Sequence, residues 1–273
     1  RSGSAFCSGR SNPKSLGGPG PFMDGTDMRD RRWLVNFDPE YFAKRPELGH
    51  SSPSVQAFRE AFQTNHWGGH SRSGPGSSGE QTAEIATGIP GLCKRLNVRR
   101  LLDLPCGDFS WMSKLKFDGV SYIGGDLLPE LVQQNRKVHG APDRTFLELD
   151  LTTSELPAAD LILCRDCLVH LSYRNVSSAL QNIARSGIEW LLATTFPSEP
   201  TNIDIVTGDW RPIDLTKTPF SLPPPVEMLS ERCTEQNGAF ADKSLGLWPV
   251  AVLTNHDSQG YRPMEANPCR GAS

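Results

Sequence analysis

The sequence predicts an α/β fold in which a mostly parallel sheet is covered by helices on both faces. Three observations carry that expectation. Short apolar runs alternate with helical periodicity from residue 99 to residue 196. Within that stretch, Leu101-Leu102-Asp103-Leu104-Pro105-Cys106-Gly107-Asp108-Phe109-Ser110-Trp111 is followed about twenty residues later by Tyr122-Ile123-Gly124-Gly125-Asp126, the layout of a nucleotide-binding βαβ unit. Beyond Phe196 the pattern changes to Pro-rich connections between isolated apolar runs, which predicts an antiparallel edge.

The elements follow in order. Residues 1–25 are dominated by Ser, Gly, Pro and Arg and read as a disordered leader, because they carry too little apolar surface to offset chain entropy. Residues 30–46 hold Trp33, Leu34, Val35, Phe37, Tyr41 and Phe42, enough to dock as an arm on the main domain. Ser54 to Thr64 places Val55, Phe58, Ala61 and Phe62 at helical spacing after Ser52-Pro53. The Gly- and Ser-rich stretch from Asn65 to Ser78 is either a plain surface loop or a segment that folds over a ligand. Glu80 to Leu96 returns to a helix with Ile85, Ile89, Leu92 and Leu96 on one face. Strands are expected at 101–104, 121–124, 145–149, 161–164 and 190–195, with helices at 129–138 and 173–184. Phe220 to Leu222, Val226 to Leu229 and Leu245 to Leu253 supply the edge, and the polar stretch to Ser273 reads as a flexible tail. The resulting organisation is a leader with a docking arm over 1–50, one domain over 51–256 and a tail over 257–273. The domain divides into N-terminal helices and a covering loop (51–98), a cofactor-binding core (99–196), and C-terminal strands with an acceptor pocket (197–256).

Composition narrows the function classes. A net charge of -3 gives no global pull toward phosphate backbones, so nucleic acid is disfavoured and a small-molecule or polymer-attached substrate is preferred. No run approaches the roughly 18 consecutive apolar residues of a membrane span, which fits a soluble protein. Seven scattered cysteines suggest free thiols and the cytoplasm or another reducing compartment. Arg1 in place of Met is compatible with a fragment or a processed form, so targeting stays open.

In an open α/β sheet a nucleotide-like ligand lies at the carboxyl ends of the strands. Asp103 and the turn Pro105-Cys106-Gly107-Asp108 take that position after the first strand. Asp126 ends the second, where a carboxylate can accept from both ribose hydroxyls, and Asp150 falls near the third, suited to an exocyclic amine. Singly, Asp103 is equally a turn former and Asp126 a helix cap. The turn lacks the three glycines of G-x-G-x-x-G that a pyrophosphate needs, which disfavours a nucleotide-dependent oxidoreductase.

Leu101 to Phe109, Gly124 to Asp126, Leu149 to Leu151 and the run from Ala159 to Leu171 instead resemble the class I S-adenosyl-L-methionine-dependent methyltransferases over about residues 99–196. Asn65 to Gly69, Ser73 to Ser78, Cys164 to Cys167, Thr207 to Pro212 and Asp242 to Trp248 narrow the likeness to a largely bacterial-type group that has no settled substrate. The resemblance implies a Rossmann-like, seven-stranded sheet and a methyl group transferred to an oxygen or nitrogen acceptor. It implies a cofactor site made of Asp103, Pro105, Cys106, Gly107, Asp108, Asp126, Leu127, Asp150, Leu151 and Cys164, covered by Trp67 and Gly68. Pro105 and Phe109 depart from the family's glycines and make the turn stiffer. That departure keeps open a catalytically silent methyltransferase-fold scaffold.

His170 is the candidate base, its alternative being a packed histidine hydrogen-bonded to backbone. Asp166 is read with it as catalytic, or else as a helix N-cap or a partner of Arg165. Asp209, Trp210 and Arg211, with an Asp242-Lys243 pair, form either an acceptor pocket or a salt-bridge cluster. Cys106, Cys164, Cys167 and His170 are formally soft ligands, but buried small hydrophobes are the preferred reading and no metal is expected.

Overall fold

The computed structural model describes residues 38–45 and 54–253. The leader, the tail and most of the expected docking arm lie outside these residues. The first helix, α1 (Ser54–Thr64), matches the span read from its apolar spacing, and α2 (Ala83–Arg95) follows with Ile85, Ile89 and Leu92 wholly buried. The sheet consists of β1 (Arg100–Asp103), β2 (Ser121–Asp126), β3 (Arg144–Glu148), β4 (Leu161–Cys164), β5 (Trp190–Thr195), β6 (Glu227–Ser230) and β7 (Ser244–Pro249). Two further helices, α3 (Pro129–His139) and α4 (Tyr173–Arg185), follow β2 and β4. Pro129 opens α3 where its missing N–H costs nothing, and Ser172 caps α4 by accepting from the Asn175 amide.

The strand order is β3-β2-β1-β4-β5-β7-β6, with β1 to β5 parallel and β7 antiparallel to both of its neighbours. Successive residues of β1 and β4 feed opposite faces. Leu102, Ile162 and Cys164 join the α4 side with Val176 and Ile183, whereas Leu101, Leu161 and Leu163 join the α2 side. Each such buried Leu or Ile contributes roughly 1.5–3 kcal/mol. The two-sided burial explains why β4 and the first four residues of β5 read as apolar runs.

The edge departs from expectation in two places. Residues 220–222 form no strand; Phe220 and Leu222 are buried in the α4-side core, and the Leu222 amide bonds Leu215 O. The last apolar run is strand only to Pro249, then turns helical through Leu253. Because the connections leave β1 in one direction and β4 in the other, a crevice opens at the carboxyl ends of those two strands.

Candidate functional site

A cleft at that switch point holds about 1180 Å³ of empty space, including the part open to solvent. Asp103 forms its floor, buried at the end of β1 and accepting from Tyr122 Oη at 2.6 Å. Burial pushes its pKa up to about 7, against the pull of the Tyr122 hydroxyl and the Arg165 charge.

The following turn is fixed to β2. Cys106 N donates to Gly125 O at 2.8 Å, Gly107 N donates to Asp126 Oδ2 at 3.1 Å, and Asn135 Nδ2 donates to Gly107 O at 2.8 Å. The Leu104–Pro105 bond is cis. Gly107 and Phe109 both take left-handed backbone conformations, with φ of 55° and 57°. For Phe109 this costs on the order of 1–2 kcal/mol, offset by ring packing on Tyr122 and Phe146 at 4.9 and 5.2 Å. The Phe109 side chain thus offsets the cost of its own backbone.

The Ser-rich loop packs on this turn. Ser73 Oγ accepts from Asp108 N at 3.1 Å, and Ser71 Oγ donates to Asp108 Oδ2 at 2.8 Å. A Cβ on Gly107 would lie 2.3 Å from Ser73 Oγ, so the close approach requires glycine there.

Asp126 accepts from Leu128 N with Oδ1 and from Gly107 N with Oδ2, both at 3.1 Å. Burial raises its pKa to about 6 despite these bonds. Asp150 also lines the cleft, but its Oδ1 is engaged by Thr152 N at 2.8 Å and Thr152 Oγ1 at 2.6 Å. Leu127 and Leu151 are in the wall, joined by Leu128, Leu131 and Leu149, which sequence reasoning missed.

The other half of the cleft is built at the end of β4. Asp166 adopts φ 51°, its amide held by Thr194 Oγ1 at 2.8 Å. Its Oδ2 meets Lys243 Nζ at 2.8 Å and Arg165 Nη1 at 3.2 Å, while Glu231 accepts from Arg165 Nε and Nη2 at 3.1 and 2.6 Å. Arg165 Nη2 also donates to Gly76 O at 2.8 Å, tying the covering loop to this buried charge cluster. Burial alone would raise the Asp166 pKa, but Arg165 and then Lys243 outweigh it and hold the carboxyl well below its usual range. Asp166 is thus an Arg165 partner that also faces the cleft; the short helical turn Leu168–His170 is preceded by Cys167 and has no side-chain cap.

His170 combines both of its sequence readings. Its Nδ1 lies 2.9 Å from Asp209 O, and a carbonyl only accepts, so Nδ1 carries the proton. Nε2 is left with a lone pair and has no hydrogen-bond partner among the described residues. The ring lines the cleft beneath Trp67, at 4.9 Å between centroids, and burial pushes its pKa down to about 4.

Twelve sequence-named residues therefore share this cleft: Trp67, Asp103, Pro105, Cys106, Gly107, Asp108, Asp126, Leu127, Asp150, Leu151, Asp166 and His170. Two do not. Cys164 is wholly buried in the α4-side core, because alternation along β4 turns it into the sheet packing, and Gly68 sits in the turn after α1. The expected Asp209-Trp210-Arg211 pocket is also corrected. Asp209 accepts from the amides of Phe42 and Ala43 at 2.7 and 3.0 Å, and Arg211 donates to the carbonyls of Leu168, Leu171 and Ile203. Trp210 packs on Phe240 at 5.0 Å. Lys243 pairs with Asp166 and Glu231, whereas Asp242 accepts from Ser198 N.

Phe58 and Phe62 of α1, Arg72, Ser73, Ser77, Trp111 and Arg165 also line the cleft. Their signal was the helical spacing of the phenylalanines and the Gly-Ser composition of the loop, neither of which says what lies beneath. Among the described residues, no group of His, Cys, Asp and Glu is arranged to hold a metal ion, and no helix is long and apolar enough to cross a membrane.

No protein-family model matches the sequence, and no curated protein matches it. Solved structures do. The N-methyltransferase NodS from Bradyrhizobium japonicum, in complex with S-adenosyl-L-homocysteine, is 13% identical over 72% of this chain and 98% of its own, with a TM-score of 0.50. Human N-acetylserotonin methyltransferase, in complex with S-adenosylmethionine, is 12% identical over 72% of this chain and 55% of its own, with a TM-score of 0.47. The methyltransferase domain of bacterial CtHen1-CN is 14% identical over 42% of this chain and 66% of its own, with a TM-score of 0.38. This chain thus spans less than two thirds of the latter two. The likeness to NodS shows the fold: the two chains share a Rossmann-like sheet with an antiparallel edge.

Proposed function

We propose that the chain is an S-adenosyl-L-methionine-dependent methyltransferase whose cofactor lies across the carboxyl ends of β1, β2 and β4. One observation carries this reading. Asp103 and Asp126 are buried in one cleft, and no cation is hydrogen-bonded to either among the described residues. Burial raises both pKa values, so the ionised pair is under-compensated. A ligand with a vicinal diol and a cationic centre supplies what the pair lacks. The backbone amides of Leu128, Gly107 and Leu127 take part of the accepting capacity of the Asp126 carboxylate, and what remains on the cleft side suits a ribose hydroxyl. Leu127, Leu128, Leu131, Leu149 and Leu151 suit the faces of an adenine, with Asp150 and Thr152 at its edge. NodS, which shares the fold, holds a cofactor product of this class.

When bound, the cofactor supplies an electrophilic methyl group on a cationic sulfur. The chain's contribution is alignment and exclusion of water. The turn from Asp103 to Asp108, clamped by Ser71 and Ser73, fixes one end of the ligand. Phe58, Phe62 and Trp67 roof the cleft, and Asp166 and His170 face the acceptor, small or polymer-attached.

Calorimetric titration with S-adenosylmethionine and S-adenosylhomocysteine tests the reading, followed by transfer of labelled methyl to extract fractions. Binding of neither compound overturns it. The scaffold alternative draws only on the altered turn. Because Gly107 and Phe109 take the left-handed positions and Asp126 holds the turn amide, no observation favours that alternative.

A further inference from the structure

The methyl-transfer end of the cleft has an uneven supply of hydrogen-bonding groups. Asp166 is a carboxylate whose Oδ2 takes both cations, Lys243 and Arg165, while its Oδ1 has no partner among the described residues. His170 is fixed by Asp209 O as the Nδ1–H tautomer and offers only the Nε2 lone pair. Both groups therefore accept, and neither donates. The two cations that meet Asp166 are engaged: Lys243 bridges Asp166 and Glu231, and Arg165 is spread over Asp166, Glu231 and Gly76 O; Arg72, which also lines the cleft, donates through Nη1 to Phe62 O and Gln63 O. The indole N–H of Trp67 is buried and has no partner among the described residues.

We infer that the methyl acceptor is a primary amine nitrogen carried on a flat, apolar group, an inference that rests on the methyltransferase reading. An –NH2 group has two hydrogens to give, one to Asp166 Oδ1 and one to His170 Nε2, and its lone pair stays free to attack. A hydroxyl has one hydrogen and leaves one of the two acceptors unpaired in a desolvated site. A carboxylate has none and meets the charge of Asp166 directly. The body of the acceptor faces Phe58, Phe62, Trp67 and Trp111, which favours an aromatic carrier. In the transfer the nitrogen lone pair forms the N–C bond as the C–S bond breaks. The nitrogen becomes cationic, and one of its two protons then leaves to water.

The test uses the whole chain with S-adenosylmethionine labelled in its methyl group and a total small-molecule and polymer extract. Labelled products are sorted by acid and base stability into N-methyl, O-methyl ether and methyl ester classes. The expected result is N-methyl product, with monomethylation dominant because the product keeps one N–H for two acceptors. Asp166→Asn and His170→Phe should each lower kcat/KM for that product roughly tenfold to hundredfold, with S-adenosylhomocysteine affinity within about twofold of the parent, which shows that the variant is folded. Label in ether or ester products overturns the inference while leaving the methyltransferase reading intact. Cofactor binding without any transfer of label overturns both, and absence of cofactor binding overturns the reading on which the inference rests.

Discussion

Replacing Asp126 by Ala removes the group on which the proposed cofactor site most depends. Its oxygens accept from the Leu128 and Gly107 amides at 3.1 Å, and the Leu127 amide also acts on it, which leaves capacity for a ligand hydroxyl. A hydrogen bond to a charged group is worth roughly 1.5–3 kcal/mol, so losing it costs at least about tenfold in Kd. The pH dependence is a second handle. Binding requires the ionised carboxylate, whose pKa lies at about 6 in the ligand-free chain. From this group alone the apparent Kd should be flat above pH 7 and weaken as the pH falls, by about tenfold at pH 5. Asp103, with a pKa of about 7, adds a further loss that begins at about pH 8 and continues to pH 5. In Asp126→Ala the share of Asp126 disappears and the profile becomes shallower. Isothermal titration with S-adenosylhomocysteine from pH 5 to pH 8 reads both effects, with a thermal melt to confirm folding. A folded Asp126→Ala chain that binds within a few-fold of the parent at pH 7.5 would falsify the assignment.

Asp103→Asn should stabilise the chain and weaken cofactor binding at once. The folded-state pKa of about 7 lies above the ordinary 3.8, so ionising Asp103 costs stability progressively across that window; the upper bound at neutral pH is about 4 kcal/mol. The amide oxygen can still accept from Tyr122, and a melting temperature several degrees higher at pH 7.5, with no gain at pH 4, is expected. Lys243→Met leaves Asp166 with Arg165 alone in a buried cluster and should cost about 3–5 kcal/mol in chemical denaturation. In the parent, the stabilisation from Asp166 is complete above about pH 4 and is lost as the pH falls through its depressed pKa; in the variant this loss should be smaller. Gly208→Ala forces a side chain into φ 109° with its Cβ 2.7 Å from Phe42 Cδ2 and 3.0 Å from Ala57 Cβ. A loss on the order of 2–3 kcal/mol and faster proteolysis within residues 38–45 or 54–64 are expected; parent-like proteolysis there would count against the packing described.

The sheet core was legible because its cause is local. β4 is an unbroken apolar run between Asp160 and Arg165, β5 opens on Trp190 to Ala193, and α1 and α4 show their buried face at helical spacing. Phe220 to Leu222 misled because three apolar residues carry no period, and burial in a core asks for no strand. In the site, the residues at or just past strand ends could be placed from topology: Asp103 and Asp126 end β1 and β2, and Asp150 and Asp166 lie two residues beyond β3 and β4. What surrounds them was not. Glu231 and Lys243 reach Arg165 and Asp166 across more than sixty positions of chain, and no spacing rule anticipates that arrangement. Arg211 misled for a similar reason. A guanidinium in a Trp-Arg-Pro sequence suggests a ligand clamp, yet this one is fully buried and satisfies carbonyls around the turn that holds His170.

Asp209 acts through both of its ends. Its carboxylate grips the amides of Phe42 and Ala43, and its carbonyl fixes the proton on His170 Nδ1. Phe42 packs against Ala57 and Ala61 on the helix that roofs the cleft. Residues 38–45 and 206–211, far apart in the chain, must therefore be inherited as one unit. A chimera that took its N-terminal segment from one relative and its residues 206–211 from another would misplace the roof and release the imidazole together, even with every residue lining the cleft left in place.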